Sequence, residues 1–491
     1  MIFLNQWLLM ILLLFPAGGA VAIWFVRPLP AMRWTALGIA LATFCISLLV
    51  LIPLKWQRSG AYGYGPGGTL QMARGTEGRP GSLIQYKVAI DGLSFPFIVV
   101  TTLVCSVGCA ASLNVARWPR VYFCFVLLFE AATLGLFLAF DAILFYGLLV
   151  AALIPAGLLI GVWGGEHRWR AAFKFLAHMI IGSACLAIAL RGAHHTGDMF
   201  DLVALAHRGT SGRGGAFFVL ALIAFVIRLP AVPFHGWLPN VLADASGPVS
   251  ALLGALIPLT GGYGILRIAL PLFPHASLTG WSSLAVLGVL TILYSSLRAR
   301  SEENLSRSIA YASVSVTGFA LLGIAVMTSA GLNGSVFVLM TQSLVLALMM
   351  IVIGRGAGPI YFASFGVAWF AEMTVPGLIG VLTVLLGTFE AARPDSVLRN
   401  VGLARPSFVY VLAIGASLGA VFQAVYAARV LRRIFSPPVG VETRAIDLPG
   451  SDIGFLAPLA ALIILLGILP AQLCFGFSRY AVEAVLKLVV Q

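Results

Sequence analysis

The sequence predicts an all-α polytopic membrane protein with about 14 transmembrane helices. Three observations carry that expectation. Of 491 residues, 60% are hydrophobic and only 10% charged, where a soluble domain holds about 25% charged residues. The mean hydropathy is +1.02, the value of a chain that lives largely in hydrocarbon. The apolar residues also fall in runs of roughly 17–25, the length that crosses a bilayer. The net charge of +13 and pI of 9.8 do not indicate nucleic acid. Lys and Arg sit in short loops between apolar runs, with no basic stripe on a polar face, which suits anionic lipid and membrane orientation.

Taken in order, the runs cover 7–26, 34–54, 91–113, 120–139, 142–162, 171–190, 214–229, 246–270, 279–297, 308–328, 334–354, 360–389, 407–432 and 454–476. The first has no basic leader and no small-residue cleavage site, so it reads as a retained helix and not a signal peptide. The stretch 55–90 is Gly-rich with scattered Arg and reads as an extramembrane loop or hairpin. The linkers 191–213 and 433–453 are polar, and neither could hold a soluble catalytic domain. Loops on the two sides differ little in Lys and Arg, which places both termini away from the cytoplasm by a narrow margin.

The run 214–229 ends in Arg228-Leu229-Pro230, and Pro233, His235 and Trp237 follow before a second apolar run begins. Pro removes a backbone N–H and breaks the helix. A broken helix frees polar backbone that lipid cannot satisfy, so it is kept only inside protein or beside a wet cavity. A cation at such a break points to a transport path. The plainer alternative is that Arg228 marks the helix end and reaches out to the interface. The run 360–389 carries Pro376-Gly377 in its middle and reads as a second broken helix.

Other chemistry is excluded or unsupported. There is no Walker loop, no Gly-rich dinucleotide motif opening a βαβ unit and no CxxC pair, so no nucleotide or iron–sulfur cofactor is expected. Cys45, Cys105, Cys109, Cys124, Cys185 and Cys474 all lie in apolar runs. Cys105 and Cys109 are one turn apart, yet no His, Asp or Glu shares that turn, and they read as small core residues with no metal.

The segment RLPAVPFHGWLPNVLADASGPVSALLGALIPLTGGYGILR resembles the KxPxxPFHxWLPxAHxEAPxxxSxxLAxxLLKxGxYGxxR signature of antiporter-like subunits of NADH-quinone oxidoreductase, the respiratory complex I family. YKVAIDGLSFPFIVVTTL, GLFLAFDAILFYGLLVAALIPAGLLIGVWGG, RSIAYASVSVTGFALLGI and VYAARVLRRIF resemble further family stretches, together covering most of 86–433. The chain stops after the fourteenth helix without a long lateral helix, so it looks like subunit M and not subunit L. The resemblance implies a single membrane domain over 1–491, with two inverted five-helix repeats, each holding a broken helix. The first repeat would span 120–270 and the second 279–432, with flanking helices in 1–114 and 454–491. It also implies a line of buried Lys, Glu and His that passes protons, driven by electron transfer to quinone in other subunits. Burial suits Lys and Glu to that work, because it brings their proton affinities within reach of each other.

Carried over residue by residue, that relay is largely gone. The family Glu of the fifth helix falls on Val150, the Lys of the first break on Arg228, and the Lys of the eighth helix on Leu259. The Glu after the second break falls on Val381, and two family His fall on Val316 and Gln342. Asn304 and Ser306 replace a further charged pair. Valine and leucine carry no proton, and arginine in proteins is effectively never deprotonated. The intramembrane acids that remain are Glu130, Asp141 and Glu372, with Asp141 read as structural. His235, Trp237, Pro239, Asp244, Tyr263, Arg267, Lys174, Arg307 and Tyr311 keep the scaffold pattern. The candidates for a proton path are therefore Arg228, His235, Glu130, Glu372, Gln342 and Lys174. His178 reads as polar packing, and His167, His194, His195, His207 and His275 read as solvated loop residues.

The expectation is an antiporter-like subunit of the cell inner membrane, set among L-like and N-like neighbours and lipid, with its own proton pumping weakened. It holds no cofactor and no redox centre of its own. The rival readings are a subunit of a cation/proton antiporter or membrane-bound hydrogenase, and a non-pumping spacer.

Overall fold

A computed structural model describes residues 2–50, 71–74, 87–193, 200–208, 214–354, 376–435, 450–469 and 475–490. The helices in order are α1 (Ile2–Ala22), α2 (Leu29–Leu49), α3 (Ser94–Ala111), α4 (Pro119–Leu138), α5 (Ala142–Ala151), α6 (Leu153–Trp163), α7 (Arg168–Ala193), α8 (Leu202–Arg208), α9 (Gly214–Arg228), α10 (Leu238–Asp244), α11 (Gly247–Gly264), α12 (Leu270–Leu272), α13 (Pro274–Ser301), α14 (Leu305–Ala325), α15 (Ser329–Gly354), α16 (Pro376–Glu390), α17 (Val397–Asn400), α18 (Pro406–Phe435), α19 (Gly450–Ile468) and α20 (Gly476–Val490). Two short strands, β1 (Gln71–Arg74) and β2 (Lys87–Ile90), pair antiparallel with Gln71 opposite Ile90 and Arg74 opposite Lys87. In the stretch 55–90, read as an extramembrane loop or hairpin, these are the described residues, and they pair as antiparallel strands.

Among the described residues, ten helices are long and apolar enough to cross a membrane, and four shorter apolar helices accompany them. The bundle has an inside and an outside. The stretch Gly247–Leu272 is buried along its whole length, and α3, α14 and α15 nearly so. By contrast α2, α7 and α18 turn large apolar side chains outward, among them Leu41, Phe173 and Val411. A helix apolar all round belongs in a core or in lipid, and these two groups take one role each.

Several boundaries differ from those read in the sequence, for local reasons. The second run starts at Leu29 and not near 34, because Pro28 and Pro30 fit a helix's first turn, where their missing N–H groups cost nothing. The fifth run divides at Ala152, since Pro155 has no N–H to offer the Ala151 carbonyl. After α11 the chain widens into a π turn over Ile265–Ala269, which carries Arg267. His275 lies in the first turn of α13, not in a loop, although it is exposed. The helix α8 appears in a stretch read as linker, and α20 follows the last apolar run within 454–491. α20 packs on α13 and α15, where the Ser478 hydroxyl donates to Asn333 Oδ1 at 2.6 Å. Of the second break, Pro376 begins α16, while Glu372 lies outside the described residues.

Candidate functional site

The break after α9 is built from exchanged hydrogen bonds. Pro230 cannot serve the Val226 carbonyl, so the Ala231 N–H reaches back to it at 3.2 Å. That leaves the Ile227 carbonyl without its helical partner, and the Trp237 indole N–H donates to it at 2.8 Å. The Val232 N–H donates to Thr291 Oγ1 of α13 at 3.1 Å, and the Val232–Pro233 bond is cis. These three freed groups thus meet partners inside the bundle, as an apolar medium requires. α11 crosses this broken backbone closely. A Cβ on Gly261 would lie 2.5 Å from the Leu229 nitrogen and 2.9 Å from the Arg228 carbonyl carbon, so only glycine fits there.

Arg228 is the last residue of α9 and is 2% exposed. That overturns the reading in which it reaches out to the interface: the break turns the side chain inward. Its guanidinium donates from one terminal nitrogen to the Leu149 carbonyl of α5 at a long 3.4 Å. No carboxylate of the described residues is in ion-pair contact with it. Val150, the next residue on α5, is a partly buried hydrocarbon side chain packed against the core. Among the described residues the Leu149 backbone carbonyl is the hydrogen-bond partner of the guanidinium. Leu259 is fully buried in α11, two residues before Gly261.

Toward the end of the bundle where α7 begins, the surroundings become polar. His235 is wedged between the rings of Tyr294 (5.3 Å) and Tyr311 (5.9 Å), with the Pro233 carbonyl beside it. Lys174, His178 and Arg298 surround the same ring closely enough to act on its charge. Arg298 also lies over the Tyr311 ring at 5.5 Å. Lys174 itself is exposed. The Asn240 amide donates to the Gly236 carbonyl at 2.7 Å. From there a cleft of about 240 Å³ opens between His167, Arg170, Asp244 and Arg307.

The remaining candidates lie apart from this break. Glu130 is fully buried on α4, and neither of its carboxylate oxygens meets a donor among the described residues. Cys105 and Cys109 of the adjacent helix α3 lie near it, a neighbour that the spacing of the two cysteines could not reveal. Asp141 caps α5, its Oδ1 accepting from the Ile143 and Leu144 N–H groups at 2.9 Å each. In the second half, Val316, Gln342 and Val381 line one cavity of about 80 Å³ together with Thr341 and Gln423. Three helices thus bring three substituted relay positions to one place. Gln423 was missed in the sequence, because nothing local marks an amide 81 residues from Gln342 as its neighbour.

Arg267 was read only as scaffold, and its partner was not identified. It donates to Asp91 Oδ2 at 2.6 Å and, through Nε, to the Tyr263 hydroxyl at 3.0 Å, and it lies over the Phe140 ring at 4.6 Å. Asp91 Oδ1 meanwhile accepts from the Leu93 and Ser94 N–H groups and starts α3. Lys87 and Asp201 form a second ion pair at 2.5 Å, nearer the edge of the bundle.

Comparison with known proteins gives this arrangement its relatives. The family described as NADH:quinone oxidoreductase/Mrp antiporter, TM matches residues 139–393. NAD(P)H-quinone oxidoreductase chain 4 2 of Thermosynechococcus vestitus is 33% identical over 445 residues, covering 85% of this chain and 80% of that one. Chain 4 of Acaryochloris marina is 30% identical over 94% of this chain and 88% of its own length. Among solved structures, a chain of respiratory complex I from Thermus thermophilus superposes with a TM-score of 0.82 at 25% identity, over 98% of this chain and 99% of that one. A chain of the Mrp complex from Dietzia shares the fold at 17% identity with a TM-score of 0.80. A multi-pass bundle with a helix broken at a buried cation, related at this level to chain 4 proteins along most of its length, belongs to the NADH:quinone oxidoreductase/Mrp antiporter transmembrane family.

Proposed function

We propose that this chain is a subunit M-like, antiporter-type membrane subunit of a NADH-quinone oxidoreductase, and that proton translocation through it is weakened or silent. It would stand between L-like and N-like subunits of an inner-membrane complex, in two repeats over 120–270 and 279–432. Electron transfer to quinone would take place in other subunits. The observation that carries the weakened channel is Arg228. It is a permanent cation, buried at the break, with a carbonyl for a partner and hydrocarbon at Val150, Leu259 and Val381. A proton relay needs groups that give the proton up, and a guanidinium does not. Its fixed charge also opposes the entry of any other cation, as an arginine does in water-selective pores.

The test is proton translocation per electron in proteoliposomes holding the intact complex. Restoring Val150→Glu, Arg228→Lys, Leu259→Lys and Val381→Glu together is expected to raise it. Arg228→Ala in an assembled complex is expected to leave it unchanged, and a large loss there would overturn the reading. The match to a family that includes Mrp antiporters favours one rival, a cation/proton antiporter subunit. Sodium-driven proton exchange in vesicles without quinone or NADH would decide for it.

A further inference from the structure

A groove of about 680 Å³ runs over α3 between α2 and α19. Its walls are apolar, with Phe44 and Leu103 deep inside and Pro458 along the second lip. Its mouth holds Arg33, Trp34 and Asn114. α2 begins and α3 ends at this mouth, so it lies at one face of the membrane. From Arg33 to Phe44 is eleven residues of helix, about 16 Å at the helical rise. One leaflet of hydrocarbon is about half of ~30 Å. The groove therefore reaches from headgroup level to the bilayer midplane, the depth of a single acyl chain.

The mouth is cationic. Arg27, Arg33, Arg117 and Arg120 fall in the segments 24–35 and 112–120, which contain no Asp or Glu. Arg33 donates to the Val115 carbonyl at 2.8 Å, and its buried Nε has no partner among the described residues. Arg120 is spent on the Val26 and Arg27 carbonyls. Trp34 and Trp118 stand 64% and 59% exposed around the same end, where indoles mark the headgroup layer. An apolar slot one leaflet deep, opening beneath a guanidinium with no acidic partner among the described residues and ringed by indoles, fits an anionic amphiphile. A neighbouring subunit's apolar helix would leave the Arg33 charge without a counterion.

We propose that this groove seats an acyl chain of an anionic phospholipid, with the lipid phosphate accepting hydrogen bonds from Arg33 and Asn114. The site is separate from the break and does not depend on whether the chain pumps. The test uses the full chain, stripped of lipid in detergent, with phosphatidylglycerol or phosphatidylcholine added back and retention read by native mass spectrometry. Phosphatidylglycerol should be retained about fivefold better, the worth of one well-placed arginine at a membrane surface. Arg33→Gln should remove that preference. Leu41→Trp, on an exposed lip, should lower retention of both lipids while leaving the Arg33–Val115 tie intact. Equal retention of the two lipids by the native chain would overturn the proposal. So would an Arg33→Gln variant that keeps the preference, or a photo-crosslinker at position 41 that captures a neighbouring subunit in the intact complex instead of lipid.

Discussion

Among the described residues two arginines are buried in this bundle, and they are held in opposite ways. Arg267 meets Asp91 at 2.6 Å, a tyrosine hydroxyl and two aromatic faces. Arg228 meets one carbonyl at 3.4 Å. A paired buried charge is close to neutral seen from outside, so Arg267 clamps the fold without projecting a field. An unpaired one keeps its charge and its desolvation cost, several kcal/mol after relaxation. A chain tolerates such a cost where the rest of the structure holds the group in place. Here the exchanged bonds of the break do so, together with the close pass of Gly261. The difference separates two uses of one residue type: it fixes helices together in one place, and in the proposed function it stands across a pathway in the other.

The largest test of that contrast is Asp91→Ala. It strands Arg267 and removes the start of α3, and should cost about 3–5 kcal/mol. The expected result is loss of folded chain from mild detergent or a steep fall in its melting temperature. Trp237→Phe keeps a six-membered ring but removes the indole N–H and part of a fully buried side chain, leaving the Ile227 carbonyl unserved, at a cost of about 2–4 kcal/mol in denaturant unfolding. A cost near zero would mean that the break has another source of donors. Val150→Glu gives Arg228 the partner that Arg267 already has, beside its present acceptor on α5. It should raise stability by about 1 kcal/mol, the net of a charge-assisted bond over the burial of a second charge. Destabilisation instead would show that residue 150 does not face the guanidinium. Gln342→Leu is the smallest. Its buried Oε1 has no donor among the described residues, so an apolar side chain of similar size should be neutral to within about 0.5 kcal/mol.

The sequence made some of this plain and hid the rest. The break was legible because Pro230 and Pro233 act through the chain itself, removing N–H groups at known places. The spans were legible from run length. The direction of Arg228 was not, since the same residue at a helix end can reach out or fold in, and α5 and α11 decide which. The Asp91 partner of Arg267 lies 176 residues away, and no periodicity connects them. The last apolar run was ended at 476, short of α20, because that helix's polar residues, Arg479, Glu483 and Lys487, dilute the apolar ones.

The two oxygens of Asp91 have a consequence for how the bundle sits in its solvent. One is committed to the first turn of α3, the other to a residue just past α11. A single carboxylate therefore sets the vertical offset of two spans. In a thinner or thicker membrane these helices cannot slide past each other to match their lengths to the hydrocarbon. They must tilt together, carrying the interrupted helix with them.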